Sequence, residues 1–163
     1  MEITFKYERE EYVRAVRKYL ITSKIISKSS IVLVPLINIL SIIFIITDGS
    51  FISVLSCCIS FLALIMGLTL YIYVPNRDFK IVNKYSEEYS LKFSRGRIEF
   101  KTDTIDSKIE MNLYKEFWKS REFYYLVQAK YQYTIIPRRV ISEANEKKFE
   151  EMLVKNVAVM REI

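Results

Sequence analysis

The chain has 163 residues and a formal net charge of +6 at neutral pH, with no histidine, three glycines and two cysteines. The missing histidines exclude Ser-His-Asp and Cys-His mechanisms and histidine-ligated zinc, and the scattered Gly49, Gly67 and Gly96 exclude Walker and dinucleotide-binding loops. Basic residues alternate with Asp and Glu rather than clustering, which points to an anionic membrane surface and not to nucleic acid, so neither enzymatic activity nor a cofactor is expected.

Glu2 to Tyr7 alternate polar and apolar, with Ile3, Phe5 and Tyr7 on one side, the period of a half-buried strand. From Glu8 the period becomes helical: Tyr12, Val13, Val16, Tyr19 and Leu20 share a face opposite Arg14, Arg17 and Lys18. That apolar face can rest on a membrane surface or pack on a soluble domain.

Two uncharged runs follow, Ile31 to Thr47 and Phe51 to Val74, separated by Asp48-Gly49-Ser50. At ~1.5 Å per residue they reach roughly 26 and 36 Å, enough to cross a hydrocarbon core of ~30 Å. So short a link allows only a reversal, which predicts a transmembrane helical hairpin. Lys24 and Lys28 precede it and Arg77, Lys80 and Lys84 follow, against Asp48 alone in the link, so the positive-inside rule puts both termini in the cytoplasm. These five basic residues are also candidates for contact with anionic lipid. No small-residue cleavage pattern closes the first run, so the spans are expected to be retained. Pro35 sits near the entry of the first span. Asn38 and Ser41 lie three apart and can hydrogen-bond across the pair to Ser53, Ser56, Ser60 or Thr69. Neither span holds an ionisable Asp, Glu, Lys or Arg, which argues against an ion carrier; a pore would require oligomers, and a homo-oligomer stays open. Cys57 and Cys58, adjacent within the second span, read as packing residues.

Pro75-Asn76 predicts a helix break, with Phe79, Ile81, Val82 and Tyr85 on a short connecting helix. Strands are then expected at Tyr89 to Phe93 and Ile98 to Phe100 around an Arg95-Gly96 turn, and at Ser107 to Met111, Glu116 to Lys119, Phe123 to Ala129 and Tyr131 to Ile136. Asp103 and Asp106 bracket a turn, a structural use of aspartate rather than a catalytic or metal-binding one. Pro137 ends the meander, Ser142 suits an N-cap, and Phe149, Met152, Leu153 and Val157 form the apolar stripe of a closing helix. The expected organisation is α+β: an N-terminal strand and amphipathic helix (1–28), the transmembrane hairpin (29–76), and a small antiparallel β-sheet domain closed by a C-terminal α-helix (77–163).

The stretches YSLKFSRGRIEFKTDTIDSKIEM (Tyr89 to Met111) and FYYLVQAKYQYTIIPRRVIS (Phe123 to Ser142), leading into KKFEEML (Lys147 to Leu153), resemble the YcxB-like family of bacterial membrane proteins. The shared pattern is the pair Ile135-Ile136, then Pro137, Arg138 and Arg139, then a helix with the buried Phe149. Similar sequences often carry tryptophan where Met111 stands here; methionine fills the same apolar space. The resemblance implies a pleckstrin-homology-like fold for the C-terminal domain and a location in the bacterial cytoplasmic membrane.

Two features of that domain are candidate binding residues. Arg138 and Arg139 beside Pro137 make a basic corner able to pair with phosphate or acidic side chains. Tyr114, Phe117, Trp118, Phe123, Tyr124, Tyr125, Tyr131 and Tyr133 exceed what one sheet face needs to bury, so some, Trp118 among them, are expected outside, where they suit either protein recognition or the membrane interface. The expected function is a membrane-anchored, non-enzymatic interaction module whose cytoplasmic domain binds a protein partner or inner-leaflet lipid. The alternative is an immunity protein that shields its producer from a membrane-active toxin or bacteriocin, a role that other small bacterial membrane proteins with such domains have.

Overall fold

Alternating Ile3, Phe5 and Tyr7 place their side chains in the core, and β1 (Glu2–Lys6) pairs antiparallel with β2 (Glu88–Ser94), nearly ninety residues away. The computed structural model describes all residues except Asp48, Arg95 and Ala158, and all side chains of the remainder except those of Asn83 and Lys84. The expected turn at Arg95, the lone acidic link residue Asp48 and the Lys84 side chain therefore lie outside the described residues. The chain divides into two units, one of Met1–Ala15 with Phe79–Ile163 and one of Val16–Asp78. The N-terminal strand thus belongs with the residues after 79 rather than to a segment of its own.

In the first unit, β1, β2, β3 (Arg97–Lys101) and β4 (Asp106–Glu110) form one antiparallel sheet in that order. Its inner face carries Ile3, Phe5, Tyr89, Leu91, Phe93 and Ile98, all buried. Its outer face is charged, with Glu2, Lys92, Glu99 and Lys108 side by side in register, so opposite charges alternate across the four strands. A second sheet has the order β7-β6-β5-β8, from β5 (Glu116–Lys119), β6 (Phe123–Ala129), β7 (Gln132–Pro137) and β8 (Val159–Glu162). The first three match the expected strands closely. β8 has no counterpart among the expected strands, and it runs parallel to β5.

The presence of two sheets corrects the expectation of exposed aromatics. Residues Phe123 to Val127 are buried without interruption because both faces of the second sheet are covered. On one face Tyr124 meets Phe149, with ring centroids 5.4 Å apart; on the other the Tyr125 hydroxyl donates to the Ala15 carbonyl of α1 (Arg9–Thr22) at 3.0 Å. Trp118 is only 4% exposed, so it offers no free aromatic surface. Among the aromatics singled out, Tyr131 is the exposed one, and Tyr133 is half-buried.

The closing helix α5 (Glu143–Asn156) has extended backbone at Ser142, the N-cap position, where the Ser142 carbonyl accepts from the amides of Asn145 and Glu146. It buries Phe149 and Leu153. Phe149 touches one aromatic from each sheet, Phe93 at 5.3 Å and Tyr124 at 5.4 Å, so it plugs the space between them.

The second unit is built on α2 (Lys28–Thr47) and α3 (Phe51–Leu68), which pack antiparallel, Asn38 opposite Ser60 and Ser41 opposite Ser56. Pro75 does not break the helix. A π-helical turn, Thr69–Tyr73, carries α3 directly into α4 (Val74–Ile81), giving an unbroken run of 31 residues. Proline at 75 lacks the amide that the Tyr71 carbonyl would accept in an α-helix. The Val74 amide reaches back to Thr69, and the Tyr71 carbonyl accepts from the Arg17 Nε at 3.1 Å, with the guanidinium 5.0 Å from the Tyr71 ring centre. The side-chain amide of Asn76 satisfies the next carbonyl, Ile72, at 2.7 Å.

Candidate interaction surface

Pro137 fixes the chain as β7 ends, and the short 3-10 turn Arg138–Val140 aims the two arginines in different directions. Arg139 reaches the start of α1. Its Nε donates to Glu11 at 2.7 Å and a terminal nitrogen to the second Glu11 oxygen at 2.9 Å, and that nitrogen also donates to the Lys6 carbonyl at 2.9 Å. Glu11 is 8% exposed, a carboxylate placed on the buried face of α1 to meet this guanidinium. The paired hydrogen bonds raise the affinity of Arg139 for its proton further.

Arg138 turns toward α5 and forms an ion pair with Glu146, while it donates to the Ser120 carbonyl at 3.3 Å and lies 5.7 Å from the centre of the Tyr124 ring. The Tyr124 hydroxyl sits between two carboxylates one helical turn apart, 2.5 Å from Glu146 and 2.6 Å from Glu150, and Lys119 closes the row against Glu150 at 2.8 Å. Hydrogen bonds from Tyr124 first and Arg138 second hold the Glu146 carboxyl below its usual range. Burial, reinforced by the two carboxylates, pushes the Tyr124 phenol up, so it remains a donor.

The basic corner is therefore internally paired. Each arginine already has a carboxylate partner, and both pairs tie elements together. Glu11 and Glu146 are the residues that sequence reasoning missed, since Glu11 lies 128 positions from Arg139 and reads as one acid among several in a helix start. Trp118, buried, donates its indole N–H to Glu116 at 2.6 Å, and the other Glu116 oxygen accepts from Arg161 of β8 at 2.9 Å. The candidate aromatic is thus turned to a carboxylate of its own strand, next to β8.

Of the basic residues flanking the apolar helices, Lys24, Lys28, Arg77 and Lys80 are exposed. Lys24 adopts φ of 57°, a left-handed conformation at the turn between α1 and α2 that favours glycine. Asn38 and Ser41 are buried, and Asn38 donates both to the Ser60 carbonyl across the pair at 3.0 Å and to Val34 within its own helix at 2.9 Å. Among the described residues, no group of three or more Cys, Asp or Glu side chains is arranged to hold a metal ion.

Residues 93–153 match the family model described as YcxB-like protein. That stretch runs from the end of β2 into α5 and contains the arginine corner, Trp118, Glu116 and Phe149. No curated protein and no solved structure matches the chain.

Proposed function

We propose that this chain, whose residues 93–153 form a YcxB-like domain, is a membrane-anchored interaction module: α2 and α3 cross the bilayer as a hairpin, and a pleckstrin-homology-like domain binds a protein partner on the cytoplasmic side. One observation carries the membrane assignment. Among the described residues of α2 and α3 the buried ones are polar, Asn38, Ser41 and Ser60, while Ile31, Leu36, Ile43, Phe51, Leu62 and Met66 face outward. Water would invert that order; hydrocarbon requires it, since a polar group at the helix contact finds a partner that lipid cannot supply.

Orientation follows from charge. The helix-pair end holding the α2 N-terminus carries exposed Lys24, Lys28 and Arg77, which supports placing it in the cytoplasm. The two four-stranded sheets closed by α5 support the pleckstrin-homology-like assignment. Binding rather than catalysis is supported by the residue inventory, which lacks histidine altogether. A protein partner is favoured over lipid because Arg138 and Arg139 are already neutralised by Glu146 and Glu11, so a headgroup phosphate would have to displace a carboxylate from each.

The full chain is expected to stay with native membranes through an alkaline carbonate wash and to cross-link there to a protein whose recovery survives added salt. Release by carbonate would refute the anchor. Recovery of lipid contacts that depend on Arg138 and Arg139, with no protein cross-linked, would refute the choice of partner.

A further inference from the structure

We propose that the outer edge of β5 is a strand-acceptor site, that β8 is its built-in occupant, and that an extended partner segment with a basic side chain opposite Trp118 takes the same place. This rests on the reading of the chain as an interaction module and says where on it the partner binds.

All four side chains of β8 are exposed, the apolar Val159 and Met160 included. A strand that buries none of its side chains is held by its backbone ladder, and a backbone ladder accepts other sequences. β8 pairs in parallel, whereas the other strand pairs of both sheets are antiparallel, and parallel pairing is slightly weaker per residue. One side-chain interaction gives the edge selectivity. Arg161, in register with Trp118, donates to Glu116 at 2.9 Å, and the buried Trp118 holds the other Glu116 oxygen at 2.6 Å. The carboxylate is thus set in position for a cation before any strand arrives, with Trp118 as a positioning residue.

The edge of β4 lacks this character. Its outward residues run Asp106, Lys108, Glu110, so that full-register antiparallel pairing with a second copy sets Lys108 against Lys108 and Asp106 against Glu110. That edge repels its own kind, as exposed edges commonly do.

The test uses the full chain in detergent micelles and a fluorescent peptide of residues 157–163. The Ile163 amide donates to the Lys119 carbonyl at 2.9 Å, and alternation along a parallel ladder puts the Arg161 amide on the same edge. Arg161→Pro therefore removes a ladder bond and the ion pair together, emptying the site. The peptide should bind that variant about tenfold or more tightly than the natural chain, because β8 leaves only a fraction of the natural sites open. A peptide with glutamate for arginine should lose the binding, as should Glu116→Gln added to the protein. Equal binding to both chains, no binding to either, or a peptide effect that merely dissociates dimers of the chain would overturn the proposal. Should Arg161→Pro fail to fold, hydrogen exchange in the natural chain decides. Arg161 and Ile163 amides exchanging far faster than those of β6 would support a displaceable strand, and equal protection would overturn it. None of these readouts depends on membrane insertion or on partner cross-linking, so failure here is separable from failure of the interaction-module reading.

Discussion

Glu11 and Arg139 are unequal partners, and the inequality makes a prediction. Glu11 is buried, while about half of the Arg139 side chain is exposed. Removing the arginine strands a carboxylate out of water; removing the glutamate leaves a guanidinium that water can reach. Arg139→Ala should cost ~1–3 kcal/mol and Glu11→Ala distinctly less, because solvent screens the arginine's side of the pair. Thermal melting of the two variants in one detergent compares them directly. Equal losses would mean that the pair acts only through packing.

Glu146 sets a pH dependence. Its carboxyl is held below the usual range by Tyr124 and Arg138, and Glu87 is lowered likewise by hydrogen bonds from Thr102 and Thr104. Where the pH lies between folded and unfolded values, the unfolded chain binds more protons, so stability rises with pH there. The contribution is complete above the ordinary carboxylate value and is lost as pH falls through the depressed folded one. Melting temperature should therefore drop between about pH 6 and about pH 3, and Glu146→Gln should flatten part of that slope, leaving the share of Glu87. An unchanged slope in the variant would show that Glu146 is not the group responsible.

At the scale of elements, the helix that runs unbroken through Pro75 meets a group the sequence does not advertise. Proline removed a donor, the π-helical turn rearranged the neighbours, and Arg17, fifty-four residues away, took up the Tyr71 carbonyl. Arg17→Ala should destabilise the second unit by ~1–3 kcal/mol, and less in a Pro75→Ala background where position 75 regains an amide; the difference measures the coupling. Phe149→Ala, which empties a site shared by both sheets, should cost ~3–5 kcal/mol. Melting unaffected by it would mean that α5 does not close the sandwich.

The same elements show what was legible. Strands β1 to β7 announced themselves because one inward residue alternates with one outward residue, or because a continuous apolar run such as Phe123 to Val127 is bounded by turns. β8 did not, since with all four side chains exposed its pattern carries no period at all. The reading of Pro75 as a break follows a sound local rule that the π-helical turn before it, a feature with no mark in the hydrophobic pattern, sets aside. Arg138 and Arg139 were legible as a basic corner, but Glu11 and Glu146, which occupy them, become neighbours only when the chain folds.

For the whole molecule, the surplus of aromatics marked a second sheet rather than an outward binding face, because periodicity reports which residues are buried and not how many layers bury them. Pairing of β1 with β2 likewise brings the residues before the apolar helices together with those after them in one unit. If that unit is cytoplasmic, the short link around Ser50 must emerge on the opposite side of the bilayer, and this consequence is open to direct measurement. In a chain with Cys57 and Cys58 replaced by serine, a single cysteine at Ser50 should react with a membrane-impermeant thiol reagent added to intact cells, whereas one at Arg77 should react only after the cells are opened. Labelling of Arg77→Cys on intact cells, with Ser50→Cys protected until lysis, would contradict the orientation, and labelling of both from one side would contradict the transmembrane hairpin itself.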